Sequence, residues 1–585
     1  MGTISDKLMR IINTKEDIRQ ALISKGYDVP TSIPFKEYAK MILDLPCKVD
    51  SFPDIEGIVA RYYASGLTNE QMAANPVWVD KTGNGHDIQL KNFSWKGMSG
   101  VGGYVQDFND FRNNATVDKI RIDEQGSNSI KVTILTTGIG NAIYIPKNIY
   151  QFNKSYFIKI SSEGYNEGDL SLSFYAPSTS TATTVTVSLN PNGITEIPAI
   201  KEDGFLAVYI NVSGKVGSFT VEQLPLYPGA LVFDGVDDYG VCENFPILTK
   251  EKGYTVVALR QWITYNPNVI SAIATNASDR SFNGAFTFEN YNKGAEQTIS
   301  YGATQISLQY SKSPFSWQTT SKYNGVNIAN GNKDATNSLV LGRSYPQRND
   351  FANFAIWELV FLDHDATEEE LTKIKDYFVK TYPWLFFDQA WTVTGKTNED
   401  EDRATIANIT GNGNDLILSN FGFAEGSGYN EEGEYAGYLV TDGVDDKVQS
   451  SSFTMNEDWT IVGDWELLSN VQINCGIVKS QNVYLYNTAN GLLISINNPR
   501  SLQSFGTKSL HAICSDGRLY DRNWVEYEYT VDQNFAIVES SLNIGFNLNN
   551  YTQIAFKNLG IYNNQILYKD DCIKAYNYLQ TLKAK

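Results

Sequence analysis

Histidine and cysteine are scarce in this chain of 585 residues, with three copies of the first and five of the second. His86, His364 and His511 stand far apart, and no two share a helix face or a catalytic spacing. Cys47, Cys242, Cys475, Cys514 and Cys572 contain no C-x-x-C pair, so neither a zinc frame nor a dense disulfide frame is visible and buried free thiols are expected. Charge is thin, at 19% of residues, and it is lopsided: 66 Asp and Glu face 47 Lys and Arg, for a net charge of −19. Such a chain repels phosphate backbones and gains nothing from anionic lipid, so nucleic acid is not an expected partner. No apolar run reaches the roughly 18 residues of a spanning helix, so membrane insertion is not expected either. The opening MGTISDKLMR lacks the apolar core of a signal peptide, and Asp6 stands where a myristoylation pattern wants Ser or Thr.

What is plentiful is Tyr, Phe and Gly, at 35, 29 and 45 copies, set among Asn, Ser and Thr. That palette favours short strands joined by polar turns over long helices. The length implies two to four domains.

The heptapeptide frame FDGVDDY at 233–239 returns as TDGVDDK at 441–447. The match extends on both sides. GALVFDGVDDYGV at 229–241 parallels GYLVTDGVDDKVQ at 437–449, and TGNGHDIQLKNF at 82–93 parallels TGNGNDLILSNF at 410–421. Downstream, SLVLGRSYPQRNDFANFAIWELVFLD at 338–363 parallels SLNIGFNLNNYTQIAFKNLGIYNNQ at 541–565. Three blocks in the same order indicate a duplicated domain. The Asp-Gly dipeptide predicts a tight hairpin turn, with Asp bonding its own backbone two residues on and Gly supplying a positive φ. TGNG and DGVDD lie close together in the second copy but far apart in the first. The extra residues of the first copy carry alternating runs such as SIKVTIL, SYFIKIS and SFTVEQL, enough for a β-sandwich inserted in a loop.

These blocks resemble concanavalin A-like, laminin-G-type jelly rolls, in which an L-x-F-D-G-x-D-D/N-Y turn recurs. The resemblance implies a mainly β, multidomain chain with two concanavalin A-like jelly-roll sandwiches, one inserted β-sandwich and a small N-terminal α-helical module. The expected boundaries are 1–46 for the helical module, 53–111 with 229–383 for the first jelly roll, 112–228 for a carbohydrate-binding-module-like insert, and 384–585 for the second jelly roll. Some laminin-G-type domains bind calcium on loop carboxylates. Here that would fall to Asp234, Asp237 and Asp238, or to Asp442, Asp445 and Asp446. Three acids in one turn supply few of the six to eight oxygens calcium takes, so the turn is read as structural and no cofactor is expected apart from that calcium.

Residues 1–46 differ in kind. Leu8, Ile12, Ile18 and Leu22 recur at helical steps, and Phe35, Tyr38 and Ile42 share a second helix face. So short a segment cannot satisfy those faces internally, so they are read as an anchor and assembly element. NTKEDIRQALISKGYDVP followed by PFKEYAKMI resembles a short module in fibre-like structural proteins of tailed phages of gut Bacteroidales, including crAss-like phages. The resemblance implies a head or tail fibre or spike component, made in the host cytoplasm and carried in the virion. It would be a homo-oligomer, with a trimer expected, held to other virion proteins through its N-terminus, while its lectin-like domains adhere to host surface glycan. No E-x-D-x-x-E-like carboxylate frame is present, so no catalytic residues are assigned and the chain is expected not to be an enzyme. The alternatives are a capsular polysaccharide depolymerase or glycosidase, and a glycan-binding protein of the bacterial surface. The sugar-contacting residues are not legible among so many aromatics.

Overall fold

Strands with alternating burial are the raw material of this structure, a computed structural model. It describes residues 52–584 apart from a number of segments, the longest being 146–155, 278–286, 289–304, 325–334 and 529–537. Two compact units are distinguished, Met1–Asp54 and Ile55–Lys585. The anchor residues Leu8, Ile12, Ile18, Leu22, Phe35, Tyr38 and Ile42 all lie outside the described residues.

The chain is mainly β and built of several face-to-face sheets, as the composition implies. In the first layered pair, a 6-stranded sheet centres on Thr255–Trp262 and Asn353–Leu362, whose neighbours include Leu231–Asp234 and Ile58–Tyr63. A second 6-stranded sheet carries Ala335–Leu341, Tyr239–Cys242 and Ile88–Lys91. Trp78, Phe233, Trp262, Phe354 and Phe361 fill one hydrophobic cluster with residues from both sheets. A helix, α1 (Asn69–Ala74), is closed by a Thr68–Gln71 capping box. A longer one, α2 (Glu368–Thr381), starts at a Thr367–Glu370 box and packs Ile374 and Phe378 inward.

Two 5-stranded sheets are built wholly from strands between Arg112 and Gln223. Ser129–Ile134 alternates half-buried and buried positions, as a strand with one wet face should. Their shared cluster also takes in Phe108 and Phe111, which precede the first of these strands.

The second layered pair repeats the first. Leu439–Val440 pairs with Ile554–Asn563 as Leu231–Asp234 pairs with Asn353–Leu362. A bulge interrupts Thr255–Trp262 at Leu259/Arg260 and Trp459–Leu467 at Asp464/Trp465. Positive φ also recurs at matched places: 67° at Asn92 and 70° at Asn420, 74° at Gly235 and 73° at Gly443. A last helix, α3 (Lys569–Thr581), follows, with Asp570 and Asp571 favourably placed in its first turn.

One local expectation is corrected. The DGVDD turn does not join a hairpin: Leu231–Asp234 and Tyr239–Cys242 belong to different sheets, as do Leu439–Val440 and Lys447–Met455. The turn carries the chain from one layer of the sandwich to the other. The dipeptide specifies the tight bend, whereas sheet membership follows from which faces meet in the core.

Candidate functional site

Four of the six predicted carboxylates, those of Asp234, Asp238, Asp442 and Asp446, accept hydrogen bonds from the chain itself. Asp234 Oδ1 accepts from the amides of Val236 and Asp237, at 2.7 and 3.4 Å, and Asp442 Oδ1 accepts from Val444 and Asp445 at 2.8 and 3.2 Å. Asp238 is buried; its oxygens accept from the Asp234 amide and the Ser99 hydroxyl, at 3.0 and 2.9 Å. Asp446 repeats this with the Asp442 amide and Ser427, at 2.8 and 3.1 Å. Burial pushes the Asp238 carboxyl up to about 7 and that of Asp446 to about 6. Asn92 and Asn420, the Asn of each N-F pair, take left-handed backbone and donate to the carbonyls of Asp237 and Asp445 at 3.1 and 3.0 Å. Thus two of the matched sequence blocks fasten to each other at the ends of paired strands of one sheet.

Each trio, Asp234–Asp237–Asp238 and Asp442–Asp445–Asp446, brings one carboxylate oxygen per residue within 4.8 Å of the others. Calcium needs six to eight oxygens. Asp234 Oδ1 and both Asp238 oxygens also accept from the backbone and Ser99, and three carboxylates supply part of such a shell. The structure thus brings the sequence-predicted residues together at each turn.

The roomier feature lies elsewhere. A cleft of about 780 Å³ opens between one of the 5-stranded sheets, the loop at 523–526 and α3. Lys159, Ser161 and Asn190 stand on one wall, with Leu224, Pro225 and Pro228 beneath; Lys569, Asp570, Lys574 and Asn577 come from the helix. Phe157 on the insert meets Tyr576 on α3 edge to face at 5.1 Å, which joins the walls.

Trp524 anchors the third wall. Asp521 forms its turn, its Oδ1 accepting from the amides of Asn523 and Val525, each at 2.9 Å. The turn holds Trp524 at φ 57°, a conformation that costs a bulky L-residue about 1–3 kcal/mol. The indole is 1% exposed and packs against His511 and Tyr576, with centroids 5.4 and 5.7 Å away. Burial holds the His511 imidazole neutral, with its pKa lowered to about 3. Trp524 Nε1 and Asn577 Oδ1 are both buried without a hydrogen-bond partner among the described residues. A lone buried donor and a lone buried acceptor on cleft-lining residues cost free energy unless a ligand or water meets them. Sequence reasoning missed both residues. The nearest signal was the polar turn DRN at 521–523 directly before Trp524, and nothing local ties it to Asn577.

No family model matches the chain, and no curated protein matches its sequence. Solved structures similar to it include Trypanosoma rangeli sialidase in complex with sialic acid, at 10% identity over 84% of this chain and 98% of that one, with a TM-score of 0.25. Truncated AlyQ with CBM32 and alginate lyase domains is 10% identical over 58% of this chain and 92% of its own, with a TM-score of 0.18. The binding domain of Botulinum neurotoxin DC in complex with SialylT is 6% identical over 87% of this chain and 99% of its own, also at 0.18. The presence of sialidases among these structures corrects the expectation that the chain is not an enzyme: a missing linear carboxylate frame does not exclude a glycosidase, because paired carboxylates meet in space and not in sequence. At these TM-scores the likeness transfers no activity, substrate or residue.

Proposed function

We propose that this chain is a carbohydrate-binding protein of a tailed-phage fibre or spike, carried in the virion. Its β-sandwiches, with boundaries at 53–111 with 229–383, 112–228 and 384–585, engage a host surface glycan in the cleft beside Trp524. Residues 1–46 attach it to other virion proteins and assemble it as a homo-oligomer, taken here as a trimer. The fibre reading rests on the N-terminal sequence resemblance. The glycan reading rests on the cleft: its wall residues Trp524 and Asn577 bury an unmet donor, Nε1, and an unmet acceptor, Oδ1, and a sugar hydroxyl, which donates and accepts at once, would meet either on local opening of the wall. The surrounding Asn, Lys and Ser side chains add further polar contacts over an apolar floor, the usual make-up of a small-molecule site.

The test is calorimetry of the full-length protein against purified host capsular and surface polysaccharides. Trp524→Phe and Asn577→Ala should each weaken binding about tenfold, the worth of one hydrogen bond, with circular dichroism unchanged. Saccharide bound equally by the parent and both variants would place the glycan elsewhere, and binding to none of the host glycans would overturn the adhesion reading. For the fibre reading, antibody labelling of residues 229–383 on intact virions should decorate a projecting appendage; virions left bare would defeat it.

A further inference from the structure

We propose that Cys514 and Cys572 are an oxidisable pair that closes into a disulfide when the protein meets a low-molecular-weight disulfide, stapling α3 to the strand Leu510–Cys514. The inference is independent of the glycan reading. The two residues come from the end of a strand and the first turn of a helix, and both are wholly buried. Their sulfurs converge on one acceptor, the Leu567 carbonyl oxygen, at 3.6 Å from Cys514 and 3.8 Å from Cys572. Nothing but packing of α3 against the sheet brings them together, so the contact reports the native docking of that helix.

Arg518 Nη2 donates to the same Leu567 carbonyl at 3.2 Å, which puts a guanidinium beside the pair. The neighbouring Cys514 and burial nonetheless hold the Cys572 thiol well above the usual range, so the thiolate, the form that attacks a disulfide, forms only once the docking of α3 opens. The thiolate of one cysteine attacks a sulfur of the small disulfide, whose S–S bond breaks and releases one small thiolate. The second cysteine then loses its proton to that thiolate and attacks the protein sulfur of the mixed disulfide, expelling the other small thiolate. Two protein thiols are oxidised, one small disulfide is reduced to two small thiols, and the protons of both cysteines end on the products. Burial limits access, so exchange proceeds through opening of the α3 docking. The staple in turn holds the helix that carries Lys569, Asp570 and Asn577 of the cleft.

The test uses the full-length protein, reduced and then incubated with oxidised glutathione, followed by alkylation under denaturing conditions and peptide mapping. Cys514 and Cys572 should lose alkylation together and appear as one cross-linked peptide pair lighter by two hydrogens. The melting temperature should rise by about 5–10 °C. Cys514→Ser and Cys572→Ser should each abolish the cross-link and the rise. Full alkylation of both cysteines after oxidation, a stable glutathione adduct without closure, or pairing of either with Cys242 or Cys475 would overturn the proposal. Should a serine variant fold poorly, mapping of the parent chain decides.

Discussion

Arg61 and Glu358, 297 positions apart in sequence, form a buried ion pair with Nε to Oε2 at 3.1 Å. It locks Ile58–Tyr63, the first strand described, to the long strand Asn353–Leu362. Tyr377 and Tyr382 each donate to Glu358 Oε1 at 2.8 Å, which ties in α2 and the residue after it. Burial pushes the Glu358 carboxyl up while Arg61 and the two hydroxyls pull it down, and burial prevails.

Removing one partner leaves the other charge stranded in the core. Arg61→Met should destabilise the chain by about 3–5 kcal/mol in urea unfolding, and Arg61→Met with Glu358→Leu should recover much of that loss. A double variant no more stable than the single one would mean the pair is not the source of the effect.

The two DGVDD turns should make stability fall with rising pH. In the unfolded chain these carboxyls titrate near the ordinary 3.8, whereas Asp238 and Asp446 keep their protons to about 7 and about 6 in the fold. The native state binds more protons in that window, so their contribution is complete below about pH 4 and is lost as pH rises through 6 and 7. Melting temperatures from pH 4 to 8 should show this decline, and Asp238→Asn with Asp446→Asn should flatten it. Parallel curves for parent and variant would contradict the assignment.

His511 acts with the opposite sign. The fold keeps it neutral down to about pH 3, while the unfolded chain protonates it near 6.5. Its contribution is present above 6.5 and is lost as pH falls toward 3. His511→Phe preserves a ring against Trp524 and Tyr576, and should lose less stability between pH 7 and pH 4 than the parent. An equal acid loss in both proteins would show that other groups govern it.

The inserted sandwich should need a longer segment than its first strand suggests. Phe108 and Phe111 are fully buried in its core, and Val105 packs against it. Expressed alone, 104–228 should melt cooperatively, whereas 112–228 lacks both rings, each worth about 3–5 kcal/mol, and should melt lower or not at all. Identical melts would show that 112–228 folds without the two rings.

The N-terminal element is tested by comparing the full chain with residues 47–585 in light scattering. The full chain should be a trimer and the shortened one a monomer with its sandwiches intact. Ile18→Lys with Leu22→Lys should have the same effect at full length. A shortened chain that still trimerises would place assembly in the β-domains.

Much of this molecule was legible in the sequence because it is encoded between near neighbours. Alternation over a few residues marks strands such as Ser129–Ile134, and the Asp-Gly of each DGVDD frame demands a left-handed bend that Gly235 and Gly443 adopt. The duplication was visible because those local demands occur twice in the same order. What only the tertiary structure decided depends on distant partners. The DGVDD bend passes between two sheets because Asp238 and Asp446 are carried into the interior, where Ser99 and Ser427 meet them. The cleft beside Trp524 is assembled from segments near 160, 190, 524 and 573, and Cys514 reaches Cys572 across a docked helix. Side-chain chemistry sets what each segment can do locally. Which segments meet is set by the burial of their apolar faces against one another, a property of the whole packed chain that no single stretch of sequence contains.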